Sequence, residues 1–332
     1  MDLLLGEQVL IVAKETAAAA YGTDEYPGYV ALLAANSSDL EAVMRLAFGN
    51  TAAVEFAQEW SQQDSDLVEY AVGLVTHKQS QADASSVDLT NGFAPRFTQL
   101  ISTLTQLTTD QISHLVTQQL TATEAVIGEI VAQSFSHLYA DLHSAYAQTT
   151  KIGDLLAARI AQMFPDKFPG DPSLHAVELR VSVNTLLLEH AYLTTMATDA
   201  VIRGRSSETP AVSGALAGST TALGTLLAEL FGSSAGKHAE QLWSTRDGAL
   251  LDYATAPGTT TKQSPAQGFI TPFASAAHVS QVSVADELNA AVKVIDEQRS
   301  QAFDNLAADD RAAATEMEPI ADAMVAAGSA QG

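Results

Sequence analysis

Apolar residues recur along this chain at the spacing of an α-helix. Leu186 and Leu193 are seven residues apart, as are Trp243 and Leu250, so each pair lies on one face two turns apart. We find no run with the sustained apolar–polar alternation of a half-buried strand. The pattern therefore predicts an all-α fold.

Residues that start or stop helices divide this pattern into segments. Thr108 to Gln111 (Thr-Thr-Asp-Gln) form a capping-box pattern, and Gly204 is a residue that ends helices in the left-handed conformation. In the second half we expect helices over about 172–203, 211–230 and 235–256, the last before Pro257-Gly258, and a long segment opening at 283–286. In the first half we expect helices over about 108–132 and 135–163.

The second half of the chain repeats the first at an offset of 183 residues. This shift places Trp60 on Trp243 and Asp64 on Asp247, and these are the only two tryptophans in the sequence. Other coincident residues are Leu4-Leu5 with Leu187-Leu188, Pro27 with Pro210, Phe48-Gly49 with Phe231-Gly232, and Tyr70-Ala71 with Tyr253-Ala254. After a small gap, Gly92-Phe93 and Phe97 match Gly268-Phe269 and Phe273. We interpret the pattern as an internal duplication.

A proline-rich segment separates the two copies. Residues 164–172 contain three prolines and a glycine, which cannot continue a helix. Asp171 followed by Pro172 has the pattern of an N-cap and first helical residue. We therefore predict two tandem antiparallel helical bundles of about four to six helices each, over residues 1–168 and 169–332.

The composition excludes several classes of function. Sixteen basic residues face thirty-nine acidic ones, a net charge of −23, which opposes binding to nucleic acid and to anionic membranes. The absence of cysteine excludes disulfides and thiolate chemistry. The apolar fraction of 47% is enough for folded cores.

Neither the start of the chain nor its least charged stretch has the pattern of a membrane-targeting segment. The first seven residues resemble the interior of a helix rather than a signal peptide, so we expect that a leader has been removed. The uncharged stretch 210–228 is rich in Ser, Thr and Gly, which disfavours a transmembrane span. We expect no transmembrane segment.

The strongest candidate site combines residues of two predicted helices. His190 lies on an apolar face, and Asp247 lies between Trp243 and Leu250 on another. An unpaired charge there would be costly to bury, so His190 is the natural partner of Asp247. These residue types can hold a divalent metal ion or move protons; the alternative is an interhelical hydrogen bond that fixes register. In the first copy Glu7 stands at the position of His190, so Asp64 would face a second carboxyl group. Such a pair requires a shared proton, a metal or a rearrangement.

A second candidate metal site lies in one helix of the first copy. His137 and Asp141 are four residues apart, a spacing compatible with two metal ligands. His143 is displaced around the helix, so a third ligand is not expected from it, and a solvated surface is the alternative interpretation. No phosphate-binding loop or H-E-x-x-H motif is present in the sequence.

The segment from Leu187 to Leu193, which contains Glu189-His190, is followed by Leu242-Trp243 and Asp252-Tyr253. These short motifs resemble a family of secreted or surface-associated bacterial helical-repeat proteins, often labelled copper amine oxidase-like. The resemblance covers most of the second copy and, more faintly, the first. It implies helical repeats that open with E-H-x-x-L, further histidines in later helices, and metal binding or a role in the cell envelope.

The sequence departs from that pattern where the family's histidines are expected. Glu7 replaces the opening histidine in the first copy, and Gln63, Arg246, Gln119 and Gln148 stand at later positions. This lowers the expectation of metal binding. We therefore expect a non-enzymatic extracellular or cell-surface protein with a structural or binding role, able to bind a protein partner or itself. A metal-binding bundle is the alternative, and hydrolase or oxidoreductase activity has no support beyond the His–Asp pair.

Overall fold

The computed structural model describes residues 1–256 and 265–329. Every regular element in those residues is helical, and they contain no strand, so the predicted all-α class is confirmed. Pro257-Gly258 lies outside the described residues. The chain divides into two compact units, Met1–Ser173 (unit 1) and Leu174–Gly332 (unit 2).

Unit 1 begins with three long helices and ends with two more. Its helices are α1 (Asp2–Tyr21), α2 (Tyr26–Phe48), α3 (Asn50–Val75), α4 (Gln79–Val87), α5 (Ala94–Thr105), α6 (Thr109–Ala132) and α7 (Phe135–Met163). A π-helical segment, Asp88–Phe93, joins α4 to α5. The Thr108 hydroxyl caps α6 in the predicted capping box with Gln111.

Unit 2 also begins with three long helices. Its helices are α8 (His175–Ile202), α9 (Thr209–Phe231), α10 (Ser233–Thr255), α11 (Gln267–Ala276), α12 (Gln281–Ser300), α13 (Leu306–Thr315) and α14 (Met317–Ser329). The long segment expected from 283 begins at Gln281 and is divided into α12, α13 and α14.

The start of the second half differs from the prediction. Helix α8 begins at His175 and not at Pro172, and no helix spans residues 164–174. Asp171 instead accepts a hydrogen bond from the backbone amide of Ser173, so it closes a local turn. The helix stop was predicted more closely, since α8 ends at Ile202 and Gly204 has a φ of 64°.

Each unit is organised around its first helix. Every residue is buried from 5 to 16 in α1 and from 187 to 198 in α8. Each stretch covers more than three helical turns, so each helix is enclosed on all sides there. Helix α1 packs against α2, α3, α6 and α7, and α8 packs against α9, α10, α12, α13 and α14. A helix enclosed in this way must bury its polar residues along with its apolar ones. The polar groups of α1 and α8 therefore have to be satisfied inside the unit.

Candidate functional site

The His190–Asp247 pair lies in the interior of unit 2. The His190 side chain is 1% exposed, and its Nε2 lies 3.2 Å from Oδ1 of Asp247. Its Nδ1 lies 3.1 Å from the Ser219 hydroxyl on α9. The indole Nε1 of Trp243 donates to His190 Nε2 at 2.6 Å. Helices α8, α9 and α10 thus meet at one imidazole ring.

Asp247 has further partners besides His190. The Thr220 hydroxyl donates to Oδ2 at 2.7 Å, and the Arg246 guanidinium donates to Oδ1 at 2.9 Å. Burial opposes ionisation of this carboxyl, but the polar groups around it, with Arg246 and Thr220 as its donors, lower the pKa of Asp247 below its usual value. Asp247 is therefore held as a carboxylate, with its charge balanced within the unit.

Arg246 has a role in this network that the sequence analysis did not predict. Its side chain is fully buried, and it donates to Glu287 of α12 as well as to Asp247. The guanidinium also lies over the Trp243 indole, 5.1 Å from the ring centroid. Arg246 therefore links α10 to α12 and supplies the cation that the two carboxylates require.

This donor set does not fit a metal ion. A metal held by His190 and Asp247 would need their lone pairs, but Trp243 and Arg246 already direct N–H groups at those atoms. A guanidinium beside the carboxylate would also repel a divalent cation. Within residues 1–256 and 265–329, no group of three or more His, Asp and Glu is arranged to hold a metal.

The corresponding position in unit 1 has a different network. Asp64 accepts hydrogen bonds from Gln8 of α1, at 2.7 Å, and from the Ser37 hydroxyl of α2. Glu7 accepts from the Asn36 amide at 2.8 Å. The direct partner of Asp64 on α1 is therefore Gln8, which the sequence did not single out. Burial raises the pKa of Asp64 to about 6, against the lowering effect of Ser37 and Gln8.

The two tryptophans lie in similar aromatic clusters. The Trp60 ring centroid is 6.4 Å from that of Phe93 and 5.4 Å from that of Phe97. The Trp243 centroid is 5.3 Å from Phe269 and 4.7 Å from Phe273. The indole nitrogens differ, because Trp60 Nε1 is buried with no hydrogen-bond partner among the residues that the structure describes.

His137 and Asp141 lie on the outer side of α7, away from the buried networks. His137 is exposed and Asp141 is partly exposed. Glu129 of α6 forms a hydrogen bond with Asp141, and its pKa is raised by burial and by the charge of Asp141, while His137 opposes the rise. The structure thus brings His137, Asp141 and Glu129 near one another without forming a metal-binding group in the described part of the chain.

Comparison with family models, with curated proteins and with solved structures finds no significant match to this chain.

Among the described helices, α9 is long and apolar enough to cross a membrane. Core helices of soluble proteins also satisfy this criterion of length and composition. Here α9 supplies Ser219 and Thr220 to the buried network of unit 2.

Proposed function

We propose that this chain is a non-enzymatic helical protein that acts outside the cell or at its surface, in a structural or binding role. The observation that carries the proposal is the hydrogen bonding of His190. Both ring nitrogens face protein groups, Ser219 on one side and Trp243 with Asp247 on the other. A general base or a metal ligand needs a lone pair that is accessible to substrate or metal, and this imidazole is 1% exposed.

The network has instead the properties of hydrogen bonds and ion pairs that fix helix register. It joins α8, α9, α10 and α12 through directional bonds, and shifting any one helix would leave a buried polar group without its partner. Such networks specify one arrangement among several of similar apolar packing.

We further propose that the two units arose by duplication of one helical bundle. Three kinds of contact recur, and the residues of α3 and α10 that make them are related by the 183-residue offset. The hydroxyl of Ser37 donates to Asp64, as Thr220 does to Asp247. The amide of Gln63 donates to Gln119 at 3.3 Å, where Arg246 donates to Glu287. Trp60 contacts Phe93 and Phe97, as Trp243 contacts Phe269 and Phe273. The polar residues differ in type between the two units, but they make contacts of the same kind.

The surface charge supports the proposed location. A net charge of −23 over 332 residues gives a soluble, self-repelling surface that avoids nucleic acid. The lack of cysteine is compatible with an oxidising environment. The resemblance of the Glu189-His190 region to surface-associated bacterial proteins points the same way. Antibody labelling of intact source cells tests this part of the proposal, since an intracellular protein would stay unlabelled.

Elemental analysis tests the non-metal role. The purified chain, dialysed against Zn²⁺ or Cu²⁺ and then against buffer, is compared with His190→Ala, His137→Ala and the control His238→Ala, which removes an exposed histidine of α10. We expect no stoichiometric metal in any of them. Metal bound at one equivalent and lost only in His190→Ala or His137→Ala would instead establish a metal-binding bundle.

A further inference from the structure

Unit 1 contains an open groove between α2 and α3 with a volume of about 440 Å³. Its walls are mainly apolar and include Val30, Leu33 and Val68. Asp64 and Ser37 also line the groove, and its other polar lining residues are Ser38, Glu41, Ser61 and Ser65. An apolar cavity of this size with a few convergent polar groups is the usual form of a small-molecule site.

Asp64 is the charged group on which recognition would depend. It is 8% exposed, and its two hydrogen-bond donors, Gln8 and Ser37, are both uncharged. Of the other charged groups nearby, Glu41 at the groove pairs with Arg45, and Glu7 of α1 bonds to Asn36. No cation of the described chain is bonded to Asp64. Burial raises its pKa to about 6, so at neutral pH an incompletely compensated carboxylate faces the groove.

At the equivalent positions of unit 2, helices α9 and α10 are in close contact. Glu240 of α10 lies over Gly224 of α9, where an added Cβ would be 2.8 Å from the Glu240 Cβ. The Thr221 hydroxyl holds the Glu240 carboxylate at 3.0 Å. The matching residues in unit 1 are Ala57 and Glu41, and both line the groove. Asp247 also has Arg246 as a cation, whereas unit 1 has Gln63 at that position.

We propose that the groove between α2 and α3 binds a small organic cation, an ammonium group carried on an apolar body. The ammonium group pairs with Asp64 and takes the part that Arg246 plays beside Asp247. The apolar body lies along Val30, Leu33 and Val68. This inference rests on the proposed binding role and names its ligand class, but it concerns unit 1 alone. Its failure therefore leaves the metal analysis of unit 2 unaffected.

Isothermal titration of the full chain with 2-phenylethylamine at about pH 8 tests the proposal, with 2-phenylethanol as the uncharged analogue. We expect saturable binding of the amine and binding of the alcohol that is weaker by about tenfold or more, since the alcohol cannot form the charge-assisted hydrogen bond to Asp64. Amine affinity should also fall as the pH is lowered through about 6, because protonation removes the charge of Asp64. Absence of saturable binding, or equal affinity for amine and alcohol, would overturn the proposal.

Three variants locate the site. Asp64→Asn should weaken amine binding by about tenfold or more, while Glu55→Gln, which removes an exposed charge from the same helix, should leave it unchanged. Ala57→Gln, which places a longer side chain at the groove, should abolish it without altering the helical circular dichroism. Retention of full affinity by folded Asp64→Asn contradicts the assignment. If Asp64→Asn does not fold, retention of affinity by Ala57→Gln contradicts it.

Discussion

The indole nitrogen of Trp243 lies 2.6 Å from Nε2 of His190. An indole N–H can only donate, so this His190 nitrogen must present its lone pair. The proton of the neutral ring is then on Nδ1, which lies 3.1 Å from Ser219. Since Nε2 cannot also donate to Asp247, the carboxylate depends on Arg246 and Thr220 for its hydrogen bonds. This single contact therefore fixes the tautomer of His190 and explains the need for a buried arginine.

The tautomer of His190 is directly testable. At about pH 7.5, two-bond ¹H–¹⁵N correlation spectra should show His190 protonated at Nδ1, with Nε2 as the unprotonated nitrogen. Trp243→Phe removes the indole donor and should increase the population of the Nε2-protonated form, which can then donate to Asp247. A wild-type His190 protonated at Nε2 would mean that the Trp243 contact does not govern the ring.

The Arg246–Glu287 pair should show strong coupling in a double-mutant cycle. Arg246→Met leaves two buried carboxylates without their cation and should lower the free energy of unfolding by about 3–5 kcal/mol. Glu287→Met alone should cost less, because Arg246 keeps Asp247 as a partner. The double variant removes both charges and should be less destabilised than Arg246→Met alone, although Asp247 still loses one donor. Urea unfolding measures all three. Additive losses would show that the pair is not a coupled buried interaction.

Two glycines of α10 should respond oppositely to alanine. A Cβ on Gly236 would lie 2.4 Å from the Gly224 carbonyl oxygen and 2.7 Å from the Ala228 amide nitrogen, both backbone atoms of α9. Gly236→Ala should therefore force α9 and α10 apart and cost about 1–3 kcal/mol. Gly248 is exposed with nothing within 4 Å, so Gly248→Ala should be neutral or stabilise by up to about 1 kcal/mol. Thermal unfolding measures both, and equal effects would contradict the close approach of the two helices.

Glu15 on α1 should make stability depend on pH. The residue is 0% exposed, and burial raises its pKa from 4.5 to about 7, against a smaller lowering by Tyr26. Because the folded state binds the proton more tightly, this group lowers stability as pH rises from about 4.5 to 7, and the full loss persists above that range. The shift corresponds to about 3 kcal/mol.

Glu15→Gln removes the cost of ionisation, so it should stabilise the chain at about pH 8 by up to about 3 kcal/mol and have little effect near pH 4.5. Urea unfolding at both pH values measures the difference. Glu55→Gln, an exposed control on α3, should change the free energy by less than about 0.5 kcal/mol at either pH. Destabilisation of Glu15→Gln at the higher pH would show that the Glu15 carboxylate is needed in its charged form.

The part of the site that depends on local spacing could be predicted from the sequence. Trp243 and Asp247 are four residues apart and therefore share a helical face, which placed a carboxylate in the core. A buried carboxylate needs a partner, and His190 on another apolar face was the natural choice. The structure brings the two within 3.2 Å.

The partners supplied by distant segments could not be predicted. Glu287 is 41 residues from Arg246 along the chain, and nothing in the spacing selects it from thirty-nine acidic residues. Whether Glu7 or its neighbour Gln8 contacts Asp64 depends on the rotation of α1 about its own axis. That rotation is set by packing on all sides of the helix. Because residues 5–16 are all buried, the pattern of apolar residues does not show which side of the helix faces Asp64. Periodicity gives no orientation for a helix that is buried all round.

Unfolding of the chain with and without divalent metal tests the central claim most directly. If His190 and Asp247 serve only the internal network, the wild-type protein should unfold at the same urea concentration with a metal chelator present and with excess Zn²⁺ present. His190→Ala should then be less stable by about 2 kcal/mol in both, because Trp243 and Ser219 lose their partner. A wild-type midpoint that rises with Zn²⁺ while that of His190→Ala does not would contradict the account, because stability would then depend on a bound metal.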